Sequence, residues 1–450
     1  ENISFSISPN NKKMLVRSRN NYAIVDLPSS KVSLEDPVDL SNMRAWVDYS
    51  KEWQQIYDES WRQMRDFFYA PNMHGVDWKE KYEKYKVLIP HVKHRSDLSY
   101  IIGELIAELN VSHAYVQGGE KPEPRRINMG LLGAELIQDT SGFARIERIL
   151  EGANWSSELR SPLTAIGLNI DEGDYILAVN GQPVNEVNNI YQLLTGTADN
   201  MVELTINSEP ETEGSRQVIV TPIADESELY YYNWVNENIR KVDVATGGQV
   251  GYIHIPDMGV YGLNQWARLY YPQLQKRGLI IDVRGNGGGN VSPMIIERLK
   301  RTMTYATMHT NQTEGSVNPV GTHVGPKVSL IDRYSASDGD LFPYRFRQNN
   351  IGKLIGVTTW GGVVGYSGAV PAMDGGSIIT PSYAPYAADG SGFIIEGDGV
   401  DPDIRVDNDP AREFRGIDDQ LNKAIEVILQ EIEEWEQWVP PIPDFPEKIK

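Results

Sequence analysis

The segment Asp282-Val283-Arg284-Gly285-Asn286-Gly287-Gly288-Gly289-Asn290 constrains the fold more than any other stretch of this chain. It continues the short apolar run Leu279–Val283, which has buried-strand character, and precedes the helical pattern of Met294–Arg301. Glycines at such a junction let the backbone turn sharply and approach a ligand closely. The same alternation continues around it. Val250–Ile255, Lys327–Ile331 and Lys353–Val357 read as further strands, and Leu341–Gln348 as a helix. Strand, loop and helix in this order specify an α/β domain. The chain has room for more, since its 450 residues suggest about three domains.

The glycine loop excludes two common chemistries. No Gly-Lys-Ser/Thr follows it, so it is not a phosphate-cradling P-loop. Gly285 and Gly287 begin a dinucleotide pattern, but Asn290 stands where its third glycine belongs. Two readings remain at this point, a tight structural turn and an oxyanion hole built from backbone amides.

The rest of the chain reads as separate units. In residues 1–28, Ile3–Ile7 and Met14-Leu15-Val16 form two short strands around Ser8-Pro9-Asn10-Asn11, like part of a propeller blade with its remainder upstream. Residues 43–110 are helical. Trp46, Trp53, Ile56, Tyr57, Trp61, Met64, Phe67 and Phe68 make one apolar stripe, followed by helices near Trp78–Leu88 and Asp97–Leu109. Residues 118–126 have linker composition, and Leu131–Ile137, Ala144–Ile149, Tyr175–Val179 and Val202–Ile206 follow as β-like runs. A final helix is expected over Asp418–Trp438, stopped by Pro440-Pro441-Ile442-Pro443.

Charge and composition narrow the function. A formal charge of −20 disfavours nucleic acid as a partner. There are no cysteines, hence no disulfides, thiolate nucleophiles or Cys-type zinc sites. No apolar run approaches the roughly 18 residues of a membrane span. The chain starts at Glu1 without a signal-like segment, as a processed or truncated product would.

A second strand-to-helix junction, Ile331-Asp332-Arg333-Tyr334-Ser335-Ala336-Ser337-Asp338-Gly339-Asp340, places Ser335 and Ser337 near a helix N-terminus. There a serine either caps the helix or attacks a carbonyl with help from unpaired amides. Among the histidines, His91, His94 and His309 sit in polar stretches and His74 lies beside a glycine. His113 follows a helix, precedes a small apolar run and has Ser112 beside it. Glu396 follows an apolar run and leaves a strand end, whereas Asp401 and Asp403 flank Pro402 and look like turn formers.

Two resemblances draw these segments together. Gly173-Asp174-Tyr175-Ile176-Leu177-Ala178-Val179-Asn180-Gly181-Gln182-Pro183-Val184 resembles the core signature of PDZ domains, over roughly residues 127–224. Gly130-Leu131-Leu132-Gly133 sits where that family binds a peptide carboxylate. Ser112-His113-Ala114-Tyr115, Asp282–Gly289, Ser337-Asp338-Gly339-Asp340 and the Glu396–Ile404 segment occur in the order of the tricorn proteases, which this arrangement resembles. These form part of the wider C-terminal processing peptidase superfamily. The inserted PDZ-like segment and Thr359-Trp360-Gly361-Gly362-Val363-Val364-Gly365 match as well, so the resemblance runs from about residue 40 to 430.

The resemblance implies a multidomain α/β protein. Its units would be the end of a β-propeller and linker (1–40), a helical catalytic subdomain carrying His113 (41–117), a PDZ domain (118–225), a crotonase-like α/β catalytic domain carrying Ser337 and Glu396 (226–436) and an extended tail (437–450). It implies a serine peptidase with Ser337 as nucleophile, since Ser337 directly precedes Asp338, and His113 as base. Glu396 would orient His113 through Ser112, and the amides of Gly289 and Asp338 would form the oxyanion hole, each such donor worth about 3 kcal/mol of barrier. Gly288, Ala306, Gly362, Val363, Val364, Gly365 and Tyr366 would contact substrate. No metal or organic cofactor is implied. Peptides are the implied substrates, a homohexamer the implied assembly, and the cytoplasm the implied compartment, with the periplasm as alternative. Thr304–Met308 holds no acid, which points to a neutral or hydrophobic preference in the pocket where basic-specific relatives place one. The rival functions are an inactive PDZ-bearing scaffold and a crotonase-like enzyme acting on thioesters.

Overall fold

Val250–His254, Gly278–Asp282 and Lys327–Ile331 are buried at every residue. Such continuously buried, mostly apolar runs belong to parallel strands covered on both faces. The structure is a computed structural model that describes residues 3–19, 21–29, 37–435 and 439–448.

The chain opens with β1 (Ile3–Ile7), β2 (Lys13–Ser18) and β3 (Asn21–Asp26), an antiparallel sheet in that order. Periodicity predicts only the first two of these strands. Pairing of Met14 with Val25 and of Val16 with Ala23 adds the third, which supplies the neighbour that a lone hairpin needs.

Three helices follow: α1 (Tyr49–Phe67), α2 (Trp78–Lys86) and α3 (Arg95–Ala107). Ile56, Tyr57, Met64, Leu98, Ile102 and Leu105 form their shared core. Trp46 and Phe67 of the expected stripe are exposed and not part of it. The Asp48 side chain accepts the Ser50 amide and starts α1 after Trp46, which is fully exposed. Strand β4 (Tyr115–Gln117) comes next.

Strands β5 (Ala134–Gln138), β6 (Ala144–Ile149), β7 (Tyr175–Val179), β8 (Gln182–Pro183), β9 (Val202–Asn207) and β10 (Arg216–Val220) make a separate sheet of order β10-β9-β7-β6-β5, with β8 on β7. The amides expected to hold a peptide carboxylate are in use within the chain. Gly130 N donates to Leu194 O (2.9 Å) and Leu131 N to Ile223 O (2.8 Å). Gly133 N donates to Glu226 Oε1 (2.7 Å). A carboxylate therefore does sit on this loop, but it is the chain's own.

The remaining elements are α4 (Ser227–Thr246), β11 (Val250–His254), α5 (Val260–Tyr270), β12 (Gly278–Asp282), α6 (Ser292–Leu299), β13 (Tyr305–Thr307), β14 (Ser316–Asn318), β15 (Lys327–Ile331), α7 (Asp338–Gln348), β16 (Lys353–Gly356), β17 (Ala369–Pro371), β18 (Ser377–Ile379), β19 (Ile404–Arg405), α8 (Pro410–Glu413) and α9 (Asp419–Glu434). The expected last helix thus ends at Glu434, and residues 436–438 of that expectation lie outside the described residues.

The sheet β11-β12-β15-β16-β19 is parallel throughout. Alternation along its strands divides the core in two. Val250, Tyr252, Ile280, Val328 and Leu330 pack with Val242 of α4 and Leu421, Ile425 and Ile428 of α9. Ile253, Leu279, Ile281 and Ile331 pack with Trp266 of α5, Ile295 of α6 and Phe342 and Phe346 of α7.

One small sheet ties the helical segment to this unit. Strand β4 pairs with β18, so Val116 faces Ile378, and β17 completes the order β17-β18-β4. Among the described residues, no helix is long and apolar enough to cross a membrane.

Candidate active site

The loops after β12 and β15 meet at the carboxyl ends of the sheet, where open α/β sheets place their sites. Asp332 Oδ1 accepts amides from both, Gly285 N at 3.0 Å and Ser335 N at 2.9 Å. Ala336 N donates to Asn286 O at 2.8 Å. The two serines then separate. Ser335 is fully buried, and its hydroxyl donates to Val283 O at 2.8 Å. Ser337 is partly exposed and occupies the N-cap position of α7 with φ 59° and ψ −117°, a conformation that non-glycine residues seldom adopt. Such strain collects at functional sites.

Gly288 packs directly on Ser337. A Cβ at Gly288 would lie 2.5 Å from Ser337 Cβ, and one at Gly289 would lie 2.1 Å from Met258 O. Gly288 thus lies against Ser337 and the amide of Asp338, whereas Gly289 packs on Met258. The Asp338 carboxylate anchors this arrangement to α6, accepting Ser292 N at 2.9 Å and Ser292 Oγ at 2.6 Å.

His113 arrives from the helical segment, with φ 54° on the turn between α3 and β4. Ser112 Oγ lies 3.0 Å from His113 Nδ1 and 3.0 Å from Glu396 Oε2. Glu396 also accepts Ser112 N at 2.7 Å, Val363 N at 2.8 Å and Val364 N at 2.9 Å. An ionised carboxylate only accepts, so the Ser112 hydroxyl gives its proton to Glu396. Its oxygen is then an acceptor for Nδ1–H. That assignment leaves the Nε2 lone pair of His113 free to take a proton. Burial holds the imidazole pKa below its ordinary value, although the Glu396 charge and the Val364 carbonyl pull the other way. Rings of Tyr115, Trp360 and Tyr366 surround the imidazole with centroids 6.1, 6.0 and 6.0 Å away.

The segment expected to contact substrate is largely committed to holding the site. Gly361 N and Gly362 N donate to Asp340, at 2.8 and 3.2 Å. Val363 N and Val364 N donate to Glu396, and Gly365 N to Tyr383 O at 2.8 Å. Tyr366 and Trp360 keep exposed faces beside His113. Ala306 lies on the two-stranded β13–β14 hairpin, opposite Val317. Sequence reading assigns Asp340 no role. A signal is present in the second acid of Ser337-Asp338-Gly339-Asp340, but its partners lie about twenty residues further on.

Three family models match the chain: Tricorn protease C1 domain over residues 49–107, Tricorn protease PDZ domain over 130–225 and Peptidase family S41 over 249–406. Tricorn protease homolog 1 of Streptomyces coelicolor is 36% identical over 445 residues, covering 97% of this chain and 41% of that protein. Tricorn protease of Thermoplasma volcanium is 32% identical over 444 residues, covering 98% of this chain and 42% of that protein. The crystal structure of a tricorn protease superposes with a TM-score of 0.87 at 31% identity, covering 96% of this chain and 41% of the other. The chain spans about two fifths of the length of these relatives.

Proposed function

This chain belongs to the tricorn protease family, and from that premise we propose that it is a serine peptidase working through Ser337. The observation that carries the proposal is the hydrogen-bonded line Glu396–Ser112–His113, with distances of 3.0 and 3.0 Å across the Ser112 hydroxyl. It supplies a base with a fixed tautomer and a carboxylate that stabilises the imidazolium, the two services that a buried acid gives a catalytic histidine.

In this mechanism Ser337 Oγ attacks the scissile carbonyl while His113 Nε2 takes its proton. The oxyanion forms against the amides of Gly289 and Asp338, which need no reorientation as charge develops. His113 then protonates the leaving amine, and an ester on Ser337 remains. Water attacks that ester with His113 again as base, which restores the serine.

The substrates are peptides, including oligopeptide products of larger proteases. Gly288 and the exposed faces of Trp360 and Tyr366 border the reacting bond, and the Ala306 hairpin favours neutral or hydrophobic side chains. Residues 41–117 and 226–436 act as the two halves of the catalytic unit, with the PDZ domain inserted between them and β1–β3 as part of a propeller blade. The working form is a hexamer in the cytoplasm.

A fluorophosphonate probe tests the assignment. It should label the wild type and leave Ser337→Ala unlabelled, and labelling that survives in Ser337→Ala sinks the proposal.

A further inference from the structure

Asp340 is fully buried and has no place in the scheme above. It lies in the first turn of α7, and its Oδ2 accepts the Ser337 amide at 2.8 Å. By itself that contact is a capping box, a common way to start a helix. Asp340 does more. Its two oxygens also take Gly361 N at 2.8 Å and Gly362 N at 3.2 Å. Thr359, whose hydroxyl receives Val400 N at 2.8 Å, lies beside the same carboxylate.

The next two amides of the chain, Val363 N and Val364 N, turn to Glu396 Oε2 at 2.8 and 2.9 Å. Four consecutive amides are thus shared between two carboxylates. One carboxylate grips the backbone of Ser337, and the other grips Ser112 beside His113. A continuous path runs Ser337–Asp340–(361–364)–Glu396–Ser112–His113. Its two ends come from segments more than two hundred residues apart, which no local turn could hold in register.

We propose that Asp340 is a positioning residue that sets Ser337 against His113 by clamping the Ser337 amide to the 361–362 amides. The inference rests on the peptidase reading of Ser337. Asp340 touches neither substrate nor reacting atoms. It holds Ser337 in its positive-φ conformation and fixes the 361–362 backbone, whose next two amides bind Glu396. Loss of the clamp would leave binding surfaces in place and let the nucleophile drift. Misplacement of about 1 Å in a reacting group lowers turnover by roughly 100-fold.

Asp340→Asn keeps size and shape but turns an N–H₂ group toward amide donors. In the full chain, with a fluorogenic peptide, its kcat per folded molecule should fall about 100-fold while KM stays within about 3-fold. The fluorophosphonate labelling rate should fall in parallel. A purely structural Asp340 would lower only the folded fraction, so unchanged kcat and labelling rate per folded molecule overturn the inference. Should Asp340→Asn fail to fold, Thr359→Val removes the hydroxyl beside the carboxylate and keeps the amides. It should lower kcat by about 5-fold at unchanged KM, and wild-type kcat there overturns the inference equally. Ser337→Ala runs alongside. Labelling that persists in it refutes the peptidase reading, whereas its loss with normal Asp340→Asn turnover refutes the clamp alone.

Discussion

Arg95 Nε lies 2.5 Å from Asp374 Oδ2, with 3% and 1% of the two side chains exposed. The pair fastens α3 to the turn between β17 and β18, next to the β4–β18 pairing that delivers His113. Removing one member of a buried pair leaves an uncompensated charge. Arg95→Ala is expected to cost about 3–5 kcal/mol, read as a lower thermal midpoint. Turnover should fall with it at temperatures where the protein is still folded, and an unchanged midpoint would contradict this role.

Ser335 and Ser337 separate by burial. Ser335→Ala leaves Val283 O without the donor that it has at 2.8 Å. It should lose about 1–3 kcal/mol of stability and still react with a fluorophosphonate. Ser337→Ala should behave in the opposite way, stable and unreactive. Urea unfolding together with probe labelling on both variants checks the pair.

The pH dependence follows from His113. Burial lowers its pKa from an ordinary 6.5, and only the neutral imidazole can act as base. The acidic limb of kcat/KM should therefore have its midpoint below 6.5, and activity should persist at a pH where an ordinary histidine is largely protonated. The Glu396 charge acts to raise this pKa. In Glu396→Gln the limb should move lower still while kcat drops by about 100-fold or more. A limb that moves upward would contradict the electrostatic account.

Two neighbouring glycines give a sharp contrast. A Cβ added at Gly287 would have nothing within 4 Å, whereas at Gly288 it would meet Ser337 Cβ at 2.5 Å and φ is +99°. Gly287→Ala should keep near-wild-type kcat/KM. Gly288→Ala should lose about 100-fold or more, because the displaced residue is the proposed nucleophile. Steady-state kinetics on the two variants decides it, and equal behaviour would contradict the packing.

Much of the architecture is legible in the chain because its signals are local. The runs at 175–179 and 327–331 are strands at those bounds, and the glycine loop after β12 is where the apolar run stops. A strand buried on both faces is mostly apolar, and a helix start has to show its cap. The third strand of the first sheet escapes such a reading because Asn21–Asp26 carries little alternation of its own and gains its place from pairing with β2.

Residue order alone therefore determined the α/β class, the segments that hold Ser337, His113 and Glu396, and the family to which the chain belongs. Tertiary structure decided how those segments bear on one another. Ser112 and Glu396 meet across 284 positions, Asp340 reaches the 361–362 amides, Ser335 is spent on Val283 O, and Glu226 occupies the loop expected to hold a peptide carboxylate. Periodicity and capping report on neighbours within a few residues. A hydrogen bond between distant amides and carboxylates leaves no such pattern, because its geometry exists only after the strands have paired and the two cores have closed.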